Sequence, residues 1–304
     1  MAEMGPTGST GNPEDGRGLG FLVPDAALDD KVAAVAARTR SEFGPSGLTQ
    51  DQFSIAWVEL DRERGTGRIG AFQGGKAFYP ASVVKMFWMA FAEHLAELGE
   101  IDMSAELERA LTDMIRDSSN DATALVVDVT TGTTGGPELS PESFVAWAHR
   151  RNAANRWFRG LGYVGINVCQ KTWCEGPYGR ERQFYGELFE NRNALTADAT
   201  ARLMAEIATD QIVTPERCSR MRRRLQRLNP ADSPEADSQA TDFSGRSIPS
   251  GARLWSKAGW TSDSRNDAAW IHLPDGREVI SVVFTKDHSS NEAIIPFIVR
   301  QLIG

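Results

Sequence analysis

The alternation of apolar and polar positions divides the chain into elements. "DAALDDKVAAVAARTRSEF" (25–43) has apolar residues at helical spacing, an acidic N-cap and arginines toward its end, and predicts a helix. "FSIAWVELD" (53–61), the turn "RERGTG" and "RIGAFQ" predict a hairpin. Helices are expected at 82–98, 104–117 and 141–158, with "DATALVVDV" helical for a turn or two between the last two. Two more follow at 196–210, capped by Thr196, and 214–228. Periodicity fails from Gly160 to Asn193, a length of loop that is uncommon unless functional. Residues 229–251 read as loop. Strands at 252–260, 266–273 and 277–285 and a helix at 290–303 close the chain. Strands gathered at both ends, with helices between them, suggest an α+β fold. The simplest assembly is a five-stranded antiparallel sheet flanked by terminal helices, with an inserted all-helical lobe. This gives a flexible tail (1–22), an α/β lobe (23–80 plus 252–304) and a helical lobe (81–251) with an Ω-like loop at about 160–193.

One stretch interrupts the pattern. "YPASVVKMFWMAF" (79–91) is almost wholly apolar, yet it holds Ser82 and Lys85 three positions apart, on one helix face. Taken alone, these are a helix cap after Pro80 and a lysine snorkelling from a buried helix. Two further groups change that. Ser118-Ser119-Asn120 stands at a helix end, and Lys257-Ala258-Gly259 on the strand "LWSKAGW". Singly, they too read as caps and a solvated charge.

In this order and context the three groups resemble SxxK, S-D-N and K-T-G, the signature set of class A β-lactamases and penicillin-binding proteins, with Ser119 and Ala258 as departures. "SKAGWTSDSRNDAAWIHLPDG" (256–276) and "RNALTADATARLMAEI" (192–207) extend the resemblance to roughly residues 25–304. It implies a β-lactamase-like fold and an active-site-serine hydrolase. Ser82 would form the acyl-enzyme, with Lys85 as general base, its proton affinity lowered by burial and by Lys257. The N–H groups of Ser82 and Trp260 would form the oxyanion hole. Ser118 would relay a proton and Asn120 would hold the substrate amide. Lys257, Thr261 and Arg265 would face a substrate carboxylate, with Gly259 and Trp260 lining the cleft. Strand 254–260 could pair with an extended substrate.

The loop at 160–193 lacks the family's Glu-x-x-Leu-Asn. Counting back from Arg192 puts Glu181 nearest the place of a deacylating base, with Glu187, Glu190 and Glu175 as alternatives. Only 36 positions separate Ser82 from Ser118, fewer than is usual in the family, so the cleft would be walled differently, by Tyr163, Trp173, Tyr178 and Tyr185. The expected activity is hydrolysis of an ester, amide or peptide with weak or no β-lactam turnover. The alternatives are a true β-lactamase using Glu181 or a neighbour, and a penicillin-binding protein without turnover.

Composition narrows the partners. A net charge of −8 argues against nucleic acid and anionic membranes, leaving a small-molecule or peptide substrate. The apolar run at 79–91 falls short of the ~20 residues of a membrane span. Three cysteines without a CxxC pair and four scattered histidines imply no disulfide framework, metal or cofactor, although a Cys169–Cys174 bridge stays open. The N-terminal stretch lacks the basic and apolar regions of a signal peptide, so a cytoplasmic location is expected, or a periplasmic one if a signal was removed. The run "RMRRRLQR" reads as a solvated helix face.

Overall fold

A computed structural model describes residues 16–173 and 175–304. The flexible tail expected at the N-terminus lies largely outside the described residues, and so does Cys174 with its candidate bridge. Seven strands form the main sheet: β1 (Leu22–Pro24), β2 (Phe53–Asp61), β3 (Thr66–Phe72), β6 (Gln226–Arg227), β7 (Arg253–Trp260), β8 (Ser264–His272) and β9 (Glu278–Lys286). Their order is β1-β3-β2-β9-β8-β7-β6. The five strands expected from the sequence make its antiparallel centre. β1, parallel to β3, and the two-residue β6 extend the edges. These additions are too short for alternation to reveal. A separate pair joins β4 (Ala77–Phe78) to β5 (Leu195–Thr196).

The helices are α1 (Ala26–Phe43), α2 (Lys85–Glu97), α3 (Ala105–Arg116), α4 (Asn120–Thr131), α5 (Pro141–Arg151) and α6 (Ala153–Gly160). They continue with α7 (Arg180–Tyr185), α8 (Ala197–Ala208), α9 (Pro215–Leu225), α10 (Ser238–Thr241) and α11 (Ile294–Ile303). One face of the sheet packs on α1 and α11 through residues such as Val32, Trp57, Ala258 and Ile298. The other buries Val58, Trp255, Ala268 and Val282 against the helical block. α2 and α8 run through that block, and Met86 to Ala92 are buried on every side of α2, as an all-apolar helix requires.

The expected helix 141–158 is two helices. Asn152 separates them, and its amide donates to Ala148 O (3.0 Å), competing with the backbone ladder. The stretch expected as loop at 229–251 holds α10, capped by Asp237, and returns to the sheet side: Ala240, Phe243 and Ile248 pack in the core beneath α1 and α11. The arginines of α9 are not a simple solvated face. Arg224 is buried, pairing with Glu93, itself wholly buried, and with Glu108, while Arg220 pairs with Glu108 and Glu216. They fasten α9 to α2 and α3, a long-range arrangement that no local pattern encodes. Among the described residues no helix is long and apolar enough to cross a membrane.

Candidate active site

The turn that carries Ser82 is set by its neighbours on both sides. Pro80 opens a 3-10 turn, Ala81–Val84, whose first bond runs from Val83 N to Pro80 O (3.1 Å) and which leads directly into α2. The Ser82 N–H therefore sits at the open N-terminal end of the turn. Ala81 has φ +47, a conformation costly for a residue with a Cβ. Ser118, on the link between α3 and α4, has φ +57. Strained backbone of this kind concentrates where a side chain is held for function. Asn266, buried on β8, anchors the segment before the turn by donating to Tyr79 O (3.0 Å) while accepting from Thr285 N.

β7 lies against this turn because position 259 is glycine. A Cβ there would stand 2.6 Å from Ser82 N, 2.6 Å from Pro80 O and 2.8 Å from Val83 N, all backbone atoms that cannot swing aside. Among the described residues β6 pairs only with Leu254 and Trp255; beyond it, side chains take over the edge of β7, Gln239 Oε1 accepting from Ala258 N and Lys257 Nζ donating to Ala258 O.

Lys85 is wholly buried, and its ammonium donates to Ser118 O (2.6 Å), Asn120 Oδ1 (2.8 Å) and Ser118 Oγ (3.3 Å). The first two motifs thus meet around one nitrogen. Ser119 caps α4 by accepting from Ala122 N, a task for which serine serves as well as the aspartate of the usual motif. Lys257, also wholly buried, donates to Ala258 O (2.7 Å) and to Gln239 Oε1. Burial first, then the charges on Lys85 and Arg227, push Lys257 well below the usual lysine range. Ala258 points to the opposite face, into the core shared with α1 and α11, which suits a methyl group better than a hydroxyl.

Two expected binding residues turn to the other side of the sheet. Strand alternation puts Trp260 and its cross-strand neighbour Arg265 on the side of Ala258, away from Lys257. The Trp260 ring, 46% exposed, packs near Phe243 (5.7 Å). The Arg265 guanidinium lies over Phe243 (4.2 Å), donates to Asp242 O (2.9 Å) and reaches Glu292 (3.6 Å). It is spent on that side of the sheet. The Thr261 hydroxyl accepts from Asp263 N and Ser264 N (both 3.2 Å), closing the β7–β8 turn.

Glu181 opens α7, with Glu187 and Glu190 exposed beyond it. Both its oxygens accept from Arg151 (2.6 and 2.7 Å), and Lys171 stands 3.5 Å away. Arg151 is wholly buried, donates to Thr133 and stacks on Trp147 (4.3 Å). Burial alone would raise the Glu181 carboxyl. Arg151 and Lys171 outweigh it and hold the group below its ordinary range. Glu181 shares a cavity of about 450 Å³ with Asn120, Ala124, Trp173, Pro177 and Tyr178. Tyr163 and Tyr185 are buried in packing and do not wall it. Tyr163 donates to Glu206 (2.6 Å). Among the described residues no cluster could hold a metal ion.

Gln239, Arg227 and Asn266 shape the site, and motif spacing did not point to them. Gln239 lies in a stretch without periodicity, and only its contact with Lys257 reveals it.

The same architecture occurs in solved structures. A beta-lactamase from Sphaerobacter thermophilus matches with TM-score 0.64 at 21% identity, covering 90% of this chain and 96% of its own. A beta-lactamase from Chitinophaga pinensis matches with TM-score 0.64 at 17% identity, covering 91% and 98%. A mutant of PBP-A, in an acyl-enzyme complex with penicillin G, matches with TM-score 0.60 at 17% identity, covering 92% and 96%. No protein of curated function matches the sequence. At these identities the likeness establishes the fold, while the family follows from the sequence itself: the beta-lactamase enzyme family matches residues 46–302, and the chain belongs to it.

Proposed function

We propose that the protein is an active-site-serine hydrolase that forms an acyl-enzyme at Ser82 and turns over β-lactams weakly or not at all. The observation that supports this most is the meeting of the three motifs: Lys85 bonded to Ser118 and Asn120, and Gly259 bringing β7 against the Ser82 amide. In this reading Lys85, once its ammonium has given up a proton, takes the Ser82 hydroxyl proton as Oγ attacks the substrate carbonyl. The oxyanion forms toward the N–H groups of Ser82 and Trp260. Ser118 passes the proton on to the departing nitrogen or oxygen as the bond to the acyl carbon breaks. Water then attacks the acyl-enzyme and releases the acid.

Glu181 supports the expectation of slow β-lactam turnover. A carboxylate engaged at both oxygens by one guanidinium, and held below its ordinary range, is a poor base for that water. The rival reading, a true β-lactamase, draws its support from Glu181 sharing the cavity with Asn120. The charges of Lys171 and Glu181 at that cavity are already paired, with Asp128 (2.6 Å) and Arg151. What it offers a ligand is chiefly the apolar surface of Ala124, Trp173, Pro177 and Tyr178, at a volume in the range of about 300–1,000 Å³ typical of small-molecule pockets. The substrate class is thus an ester, amide or short peptide with an apolar acyl group. The test is turnover of p-nitrophenyl esters beside nitrocefin. Ester turnover lost in Ser82→Ala, with little nitrocefin hydrolysis, is expected; ester turnover unchanged in Ser82→Ala would refute the reading.

A further inference from the structure

We propose that Gln239 is a positioning residue for Lys257, holding its ammonium with an uncharged acceptor and fixing it to the end of the helix that leads into Ser118. The orientation of its carboxamide is determined at both ends. Oε1 accepts from Lys257 Nζ and from Ala258 N (3.3 Å). Nε2 donates to Arg116 O (2.6 Å) and Ile115 O (3.4 Å), the last carbonyls of α3, two and three residues before Ser118. A flipped amide would set NH₂ against the ammonium and oxygen against two carbonyls. Gln239 is buried, so water cannot replace either contact without opening the core. Its place is fixed in turn by Asp237, which accepts from Gln239 N and also pairs with Arg227 (2.9 Å). Arg227 donates to the same two carbonyls as Gln239. One side chain therefore ties the lysine of the third motif to the end of the helix that leads into the second.

The acceptor's neutrality matters because of what surrounds Lys257. Lys85 on α2 and Arg227 on β6 act on it with like charge, and Asp267 on β8 and Asp237 before α10 oppose them less strongly. A carboxylate at position 239 would fix Lys257 as an ion pair. The neutral amide holds the nitrogen in place and leaves its charge responsive to Lys85.

The inference rests on the proposed reading of Lys257 as part of the site, so its test includes a measurement that needs no turnover. With ¹⁵N-lysine labelling, the Lys257 Nζ signal is titrated in the whole protein and in Gln239→Glu and Gln239→Met, with thermal melting to confirm folding. Lys257 is expected to titrate at higher pH in Gln239→Glu, by about one unit or more, and at lower pH in Gln239→Met. The alkaline limb of ester kcat/KM should move in the same two directions, with a fall of about tenfold or more in Gln239→Met. A Lys257 titration unmoved in both folded variants would overturn the inference. Ester turnover that survives Ser82→Ala would instead sink the reading beneath it, leaving the Lys257 titration to judge Gln239 on its own.

Discussion

Glu181 and Arg151 face one another across two charge-assisted hydrogen bonds of 2.6 and 2.7 Å, with the guanidinium wholly buried. The pair joins the long loop to α5 and accounts for Glu181 without any catalytic task. Glu181→Gln leaves Arg151 with a buried charge poorly matched, and should cost about 3 kcal/mol in urea unfolding near neutral pH. The carboxyl is held low in the folded protein, so its contribution is present above the ordinary glutamate value of 4.5 and fades as pH falls through the folded one. The gap between wild type and variant should therefore close in acid. Nitrocefin hydrolysis should change little. A large loss of it, with the fold intact, would favour Glu181 as the base.

Gly259→Ala tests the approach of β7 to the nucleophile. The added carbon meets backbone on three sides, so the strand or the Ser82 turn must shift. A displacement of this size should lower acylation by about 100-fold while melting changes far less. Wild-type acylation rates in Gly259→Ala would mean that the contact does not set the geometry.

Asp267 is fully buried, with Oδ2 accepting from Ser244 N and Oδ1 without a hydrogen-bond partner among the described residues, and burial pushes its carboxyl up to about 6. Folding favours its protonated form. That contribution is full below its ordinary value of 3.8 and is lost as pH rises through about 6. Between roughly pH 4 and pH 7, Asp267→Asn should gain about 2–3 kcal/mol relative to wild type. Parallel stability curves for the two proteins would contradict the assignment.

The cavity beside Asn120 predicts a preference for apolar acyl groups. Across p-nitrophenyl esters of increasing chain length, kcat/KM should rise by about threefold or more per added methylene until the cavity is full, given ~0.8 kcal/mol for each CH₂ buried. Ala124→Phe should shorten the preferred chain and spare acetyl ester turnover. A flat series would show that the acyl group binds elsewhere.

Much of this site is legible in the sequence because its three motifs are local. Ser82 and Lys85 lie within one turn, Ser118 and Asn120 within another, and Lys257 and Gly259 within one strand. Each declares itself by spacing, and the fold brings them together. β2, framed by turns and carrying β-branched and aromatic residues, has the bounds its pattern gives. What stayed hidden depends on contacts between distant segments. Counting along the loop singles out Glu181 but does not show that Arg151, thirty residues earlier, holds it. Arg265 reads as a substrate ligand until strand alternation turns it toward Phe243. Gln239 has no motif at all, and two-residue β6 no periodicity, yet one holds the third motif's lysine and the other ends beside it at Trp255.

The central claim is that Ser82 carries a covalent acyl group. Intact-protein mass spectrometry, taken over time after mixing with a p-nitrophenyl ester or a fluorescent penicillin, reads it directly. A single adduct of the acyl or penicilloyl mass, mapped to Ser82 by peptide digestion, absent in Ser82→Ala and slow to clear for the penicillin, is the predicted result. An adduct that persists in Ser82→Ala, or ester turnover there at the wild-type rate, would contradict it.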